Sequence, residues 1–218
     1  MSVTAEPERL FTARHRTYVR FIRWMRYPQG LREVFLASPL LRSGLRILDA
    51  GCGSGAVSLA VRDALVRRAL TPGALHAFDL TPAMLDEFRA TMRRRGIDGI
   101  ELARANVLEL DALPAGWADY DLVVSGSMLE YVPRDRFVDA LRGLRARLRA
   151  DGRFVLFITR RNLPMRLLIG VWWASNLYTR AELRQAFHAA GFSQATFRQF
   201  PLAARRLALW GHIVEAQR

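Results

Sequence analysis

From Arg46 onward the chain alternates short apolar runs with longer amphipathic stretches, and the two periods are easy to separate. Runs of four to seven apolar residues read as strands: Arg46–Ala50, Ala74–Leu80, Ile100–Ala105, Tyr120–Ser125 and Arg153–Thr159. Between them lie helical patterns. Val57–Ala69 is one. A second starts at Thr81, with Pro82 at its first position, and is closed by Gly96. A third carries Phe137, Leu141, Leu144 and Leu148 on one face and is broken by Gly152. A capping box, Thr179 with Glu182, opens a further helix that ends before Gly191. Two last strands are expected near Ala195–Phe200 and Leu207–Ala216. Strands separated by helices of this length imply a parallel sheet covered on both faces, so the expectation is a single doubly wound α/β domain.

Two segments break the rhythm. Residues 1–45 begin with a basic amphipathic pattern in which Leu10, Phe11, Tyr18, Phe21, Ile22 and Met25 recur among arginines. Leu163–Tyr178 is apolar and carries two tryptophans. The reading is a helical cap over 1–45, a core over 46–218, and a lid insertion near 160–178.

Composition narrows the class. The 218 residues are 51% hydrophobic and 24% charged, which are globular proportions. No run of apolar residues is long enough for a transmembrane helix, and no secretory leader is apparent, so a soluble cytoplasmic protein is expected. A single cysteine, Cys52, excludes an internal disulfide and a cysteine-based metal site. All 33 basic residues are arginine, and they are unevenly spread. Residues 71–130 have a net charge of −5, whereas residues 131–218 have +11. A solvated face, an anionic membrane surface, an anionic substrate or nucleic acid would each accommodate basic ends.

The chemistry is concentrated in Leu48–Gly55, where a strand turns into a helix. Glycines at the carboxyl end of a strand let the backbone turn sharply and approach a ligand closely. The next strand ends in Asp79, whose carboxylate can accept from a ribose diol. The loop reads D-x-G-x-G-x-G, unlike the G-x-G-x-x-G of dinucleotide folds, and it lacks the lysine of a phosphate-binding loop. An acid at Asp49 disfavours a diphosphate and suits a cationic ligand.

These residues resemble the first motifs of class I S-adenosylmethionine-dependent methyltransferases. The resemblance implies a Rossmann-like, seven-stranded sheet, mostly parallel, with an antiparallel last strand, and S-adenosyl-L-methionine as cofactor. It assigns Asp49, Gly51, Cys52, Gly53 and Gly55 to the loop that cradles the methionine part, and Asp79 to the ribose. Leu80–Leu85 is similar to the family's D-x-S/T-P-x-M-L run, which puts Leu80 and Met84 beside the adenine. Asn106 and Val107 fall where the family contacts the adenine amino group and ring, and Ser125 closes the fourth strand beside the cofactor. Leu148–Arg153 resembles the turn into strand five, with Asp151 in place of the family's first glycine.

The acceptor side is less legible. After strand four, Ser125-Gly126-Ser127-Met128 lacks the Asn/Asp-Pro-Pro-aromatic grip of amine methylators, which disfavours base methylation. No RNA-binding module is appended, so a small-molecule substrate is favoured over nucleic acid. Of the four histidines, His76, His188 and His212 read as structural and His15 as a surface residue of the cap. Glu130 and Tyr131 follow strand four near the reactive end. Tyr18, Trp172, Trp173 and Tyr178 suit a hydrophobic or lipid-like acceptor, and flanking arginines suit an anionic group on it. A non-catalytic cofactor-binding protein and an RNA methyltransferase are the alternatives.

Overall fold

The computed structural model describes Arg20, residues 26–162 and residues 175–218. Seven strands form one sheet: β1 (Arg46–Ala50), β2 (Ala74–Asp79), β3 (Glu101–Arg104), β4 (Tyr120–Gly126), β5 (Leu148–Thr159), β6 (Gln194–Arg198) and β7 (Gly211–Gln217). Their order is 3-2-1-4-5-7-6. The first five strands pair in parallel, and β7 enters antiparallel between β5 and β6.

Among the described residues, five α-helices cover the sheet: α1 (Tyr27–Leu36), α2 (Ala56–Arg67), α3 (Pro82–Arg95), α4 (Phe137–Arg147) and α5 (Arg180–Ala189). The core is split accordingly. Leu31, Phe35, Val61, Leu65 and Phe88 pack on one face, and Phe137, Leu141, Leu144, Leu183 and Phe187 on the other. Because both faces are covered, the central strands are buried along nearly their whole length: β1 is buried from Ile47 to Ala50. Strand order reverses between β1 and β4, so the loops leaving these two strands part and open a crevice at their carboxyl ends.

Local signals place most boundaries. Pro82 lies in the first turn of α3 and Gly96 ends it at φ +58°. Thr81 occupies the N-cap position, but its hydroxyl makes no cap bond. The Thr179–Glu182 capping box is present at α5. Two expectations are corrected. Gly152 does not end the fourth helix: α4 stops at Arg147, Leu148 is already in β5, and Gly152 lies inside that strand. The β4–β5 register shifts between Tyr120 and Leu122, and a Cβ at Gly152 would come within 2.8 Å of the Tyr120 carbonyl oxygen, so close backbone approach demands this glycine. Likewise Leu207 is not in a strand. Leu202–Leu209 forms a 3-10 helix, and β7 starts only at Gly211. The cap pattern in residues 1–25, Arg20 aside, and the tryptophan-bearing run 163–174 lie outside the described residues.

Candidate functional site

The loop between β1 and α2 is set by three glycines with positive φ: Gly51 at +72°, Gly53 at +51° and Gly55 at +90°. Each answers a different constraint. A Cβ at Gly51 would sit 2.2 Å from Met128 Cγ, and one at Gly55 2.4 Å from the Phe88 ring. A Cβ at Gly53 would meet nothing within 4 Å, because this glycine faces an open cavity. The amides of Gly51 and Cys52 donate to the Phe78 carbonyl at 2.9 Å, which ties the loop to the end of β2.

Asp79 completes the tie. Its Oδ2 accepts from the Gly53 amide and its Oδ1 from the Thr81 amide, both at 2.8 Å. Burial pushes its pKa up, and these N–H donors oppose that push by stabilising the carboxylate. The carboxylate is thus oriented at the wall of a cavity of about 310 Å³. Leu80 and Met84, at the start of α3, and Asn106 and Val107, after β3, line the same cavity. Asn106 Oδ1 accepts from the Leu108 amide at 3.0 Å, which fixes the side chain in its loop.

Asp49 and Ser125 are placed differently. Both are fully buried beneath the loop and neither lines the cavity. Asp49 Oδ2 accepts from the Ser58 amide at 2.9 Å and its hydroxyl at 2.5 Å, so the carboxylate caps the first turn of α2. Burial pushes its pKa up to about 7. Ser125 donates to the Ala50 carbonyl at 2.8 Å and clamps β4 to β1. Cys52 lines the cavity, with its thiol pushed up by burial.

At the other end the wall is made by Tyr27, Ser127, Met128 and Tyr131. Arg26, at φ +51°, is the N-cap residue of α1, which Tyr27 begins. The Tyr27 hydroxyl is buried beside the Ser127 side chain and makes no well-formed hydrogen bond among the described residues. It lies 3.3 Å from where a Cβ at Gly126 would stand, so the glycine leaves room for it. Burial keeps this phenol protonated. Ser127 follows at φ +56°, an uncommon conformation for serine. Tyr27 belongs to the aromatic end of the cap, but no pattern in the sequence marks its hydroxyl.

Glu130 is not in the wall. It is buried, with its pKa pushed up to about 7, and accepts from the Thr159 amide at 3.0 Å and hydroxyl at 3.2 Å, joining the ends of β4 and β5. Tyr178 packs in the core, stacked on Phe137 at 4.4 Å with the Arg134 guanidinium over its ring. Tyr18, Trp172 and Trp173 lie outside the described residues, as does His15. His76 bonds the Tyr120 hydroxyl at 2.7 Å and stacks on Trp117, and His212 is held down to about 4 by burial and nearby arginines. No group of acids, histidines and cysteine able to hold a metal occurs among the described residues.

The electrostatics of the cavity run against those of the chain. In a protein of net charge +13, the described wall contains no arginine, and its one charged side chain is Asp79. Such a site favours a cationic or neutral ligand and offers nothing to a phosphate.

Residues 47–152 match a family model described as a methyltransferase domain. The aklanonic acid methyltransferase DauC of Streptomyces sp. strain C5 is 30% identical over 108 residues, 49% of this chain and 44% of its own. The match therefore spans less than half of that relative's length. Among solved structures, the magnesium protoporphyrin IX methyltransferase ChlM of Synechocystis PCC 6803 with bound SAH has a TM-score of 0.64 at 18% identity, covering 88% of this chain and 83% of its own. The mitomycin 7-O-methyltransferase MmcR has a TM-score of 0.73 at 19% identity, covering 99% and 61%. At such identities the two structures speak for the fold, and the family model speaks for the sequence. Residues 47–152 thus carry a methyltransferase domain, and the 3-2-1-4-5-7-6 sheet with its glycine loop tied to Asp79 has the Rossmann-like fold of class I S-adenosylmethionine-dependent methyltransferases.

Proposed function

We propose that the chain moves a methyl group from S-adenosylmethionine to a small, largely apolar acceptor. The observation that carries this reading is the arginine-free cavity with its one carboxylate, Asp79, reached by the open face of Gly53. S-adenosylmethionine, when bound, supplies a methyl group on a cationic sulfur.

The residues present fit that cofactor. Asp79 would accept from the ribose hydroxyls, and its orientation is already fixed by two backbone donors. Leu80, Met84 and Val107 offer apolar surface to the adenine, and Asn106 offers an amide to its edge. Gly53 leaves the space a side chain would fill. Asp49 and Ser125 would act from behind, by fixing the loop and the β1–β4 spacing. At the acceptor end, Tyr27, Ser127 and Tyr131 would orient the nucleophile and keep water out, the main contribution a protein makes to an in-line displacement.

The acceptor's class rests on shape and charge. The cavity's size falls at the lower end of small-molecule sites, about 300–1,000 Å³. The relatives' names refer to aklanonic acid, magnesium protoporphyrin IX and mitomycin, all small molecules. The case for an anionic group on the acceptor weakens, because Arg160 donates to the Ala208 carbonyl at 2.7 Å and Arg161 faces Glu182 at 3.6 Å. Calorimetry should give S-adenosylmethionine or its demethylated product a higher affinity than NAD or ATP; tighter NAD binding would refute the cofactor. Isotopically labelled methyl donor, offered to small-molecule extracts and to RNA in parallel, should label the former; label in RNA alone would refute the acceptor class.

A further inference from the structure

We propose that the 3-10 helix Leu202–Leu209 docks the protein on an anionic lipid surface, next to the wall of the cavity.

A 3-10 helix has three residues per turn, so its side chains fall into three rows. One row, Ala204 and Leu207, is buried. Leu207 packs where a Cβ on Gly30 would stand, 2.2 Å from its Cδ1, and seats the helix against α1. The other two rows face outward. One holds Leu202 and Arg205, the other Arg206 and Leu209. Each outward row therefore pairs a leucine with an arginine, leucines at the ends and arginines between them.

The leucines are out of place on an ordinary soluble surface. Leu202 is 86% exposed and Leu209 68%. Among the described residues the one other large apolar side chain so exposed is Val66, at 60% on α2. The arginines between them add positive charge. Elsewhere exposed arginines such as Arg95 and Arg142 face carboxylates, Asp63 and Asp139. Arg205 has no hydrogen-bond or ion-pair partner among the described residues, and the helix contains no acid.

The element is also anchored. Its last carbonyls, Ala208 and Leu209, accept from Arg160 at 2.7 Å and Asn162 at 3.0 Å. Arg206 reaches the Arg26 carbonyl at 3.4 Å, and Arg26 immediately precedes Tyr27 in the cavity wall. A short ridge with two projecting leucines is too small to bury the roughly 800 Å² a stable protein partner covers. A lipid surface deforms around such a ridge, takes the leucines among its acyl chains and holds arginines at the headgroup level. The net charge of +11 over residues 131–218 supplies attraction at longer range. Docking there would bring the acceptor end of the cavity close to a store of apolar molecules. That consequence rests on the proposed function; the docking itself does not.

The test is co-sedimentation of the full chain with phosphatidylcholine vesicles, with and without phosphatidylglycerol, in the absence of cofactor. Binding should require the anionic lipid and weaken with salt. Removing Arg205 and Arg206 as alanines should cost about fivefold in affinity for each, the usual contribution of a basic residue at an anionic surface. Leu202→Asp with Leu209→Asp should abolish binding, while Val66→Asp, at an exposed apolar site elsewhere, should not change it. Circular dichroism would verify that each variant is folded. A wild-type chain that ignores anionic vesicles overturns the proposal. So does binding that survives both aspartates, because the contact is then electrostatic alone. Concentration-dependent self-association lost in the leucine variant, without vesicle binding, would assign the ridge to a second copy of the chain instead.

Discussion

The two ends of the cavity are built by different means. At the Gly53–Asp79 end the surface is backbone: positive-φ glycines, amides and a carboxylate held by two of those amides. At the Tyr27–Ser127 end it is side chain, and the polar atom that stands out, the Tyr27 hydroxyl, has the Ser127 side chain beside it but no well-formed hydrogen bond among the described residues. The first end is fixed before anything binds, and the proposed function gives it to the cofactor. The second is left to be satisfied by whatever is bound. A family can therefore keep its donor and change its acceptor by altering a few side chains.

The sharpest way to break this comparison is at the glycines. Gly55→Val puts a branched side chain at φ +90° into the Phe88 ring, 2.4 Å from the new Cβ. Overpacking and the left-handed backbone together should cost about 2–5 kcal/mol, roughly 5–15 °C of Tm for a domain of this size. Gly53→Ala meets no atom within 4 Å, so it should cost only the backbone strain of about 1–2 kcal/mol while removing measurable cofactor binding. Thermal melts beside calorimetry distinguish the two; equal stability losses would mean that Gly53 does not face the ligand.

Asp79→Ala comes next. In the proposed function it deletes charge-assisted hydrogen bonds to the ribose, each about 1.5–3 kcal/mol, so affinity for the demethylated cofactor should fall tenfold or more. A folded variant with wild-type affinity would move the ribose elsewhere. At the opposite end, Tyr27→Phe should leave cofactor affinity and Tm nearly unchanged, because the hydroxyl has no well-formed hydrogen bond to lose. Turnover on the true acceptor should drop about 2- to 10-fold, the worth of one neutral hydrogen bond. Unchanged turnover would show that the acceptor does not use this hydroxyl.

These ends were unequally legible for the same reason that they differ. A backbone surface leaves glycines and a carboxylate at fixed spacing, so Gly51, Gly53, Gly55 and Asp79 could be picked out of the chain directly. Side-chain surfaces leave no such spacing, and Tyr27 was one aromatic among several. Asp49 sits in the same motif, yet only the fold reveals that it faces Ser58 beneath the loop. In the fold, periodicity found all seven strands but misjudged two starts. Gly152 looks like a helix breaker, although the demand on it is the Tyr120 backbone across the register shift. Leu207 and Leu209 look like strand residues, and a three-residue period in a run of eight is too short to recognise.

The last expected effect, a slope against pH, concerns two buried carboxyls, Asp49 beneath the loop and Glu130 at the ends of β4 and β5. Burial raises both Asp49 and Glu130 to about 7, above their unfolded values near 4. Between about pH 4 and 7 the folded chain therefore binds more protons than the unfolded chain, and stability falls as pH rises through that window. Above pH 7 both groups are ionised in either state and the dependence flattens. Glu182, lowered to about 2, acts in the opposite sense but its contribution is complete before pH 5, and His212, held down to about 4, offsets part of the fall up to about pH 6.5. Tm should thus decline from pH 5 to pH 7, and Glu130→Gln should shallow the slope. A slope unaffected by that change would place the coupled protons elsewhere.

The position of β7 has a consequence for synthesis. β6 is made first, yet its one neighbour in the sheet is β7, which also separates it from β5. As the chain emerges from the ribosome, β1 to β5 can assemble as each appears, while β6 must wait, with both of its edges open, until residues 211–217 follow. A stop before Gly211 would remove one strand from the polypeptide and two from the protein.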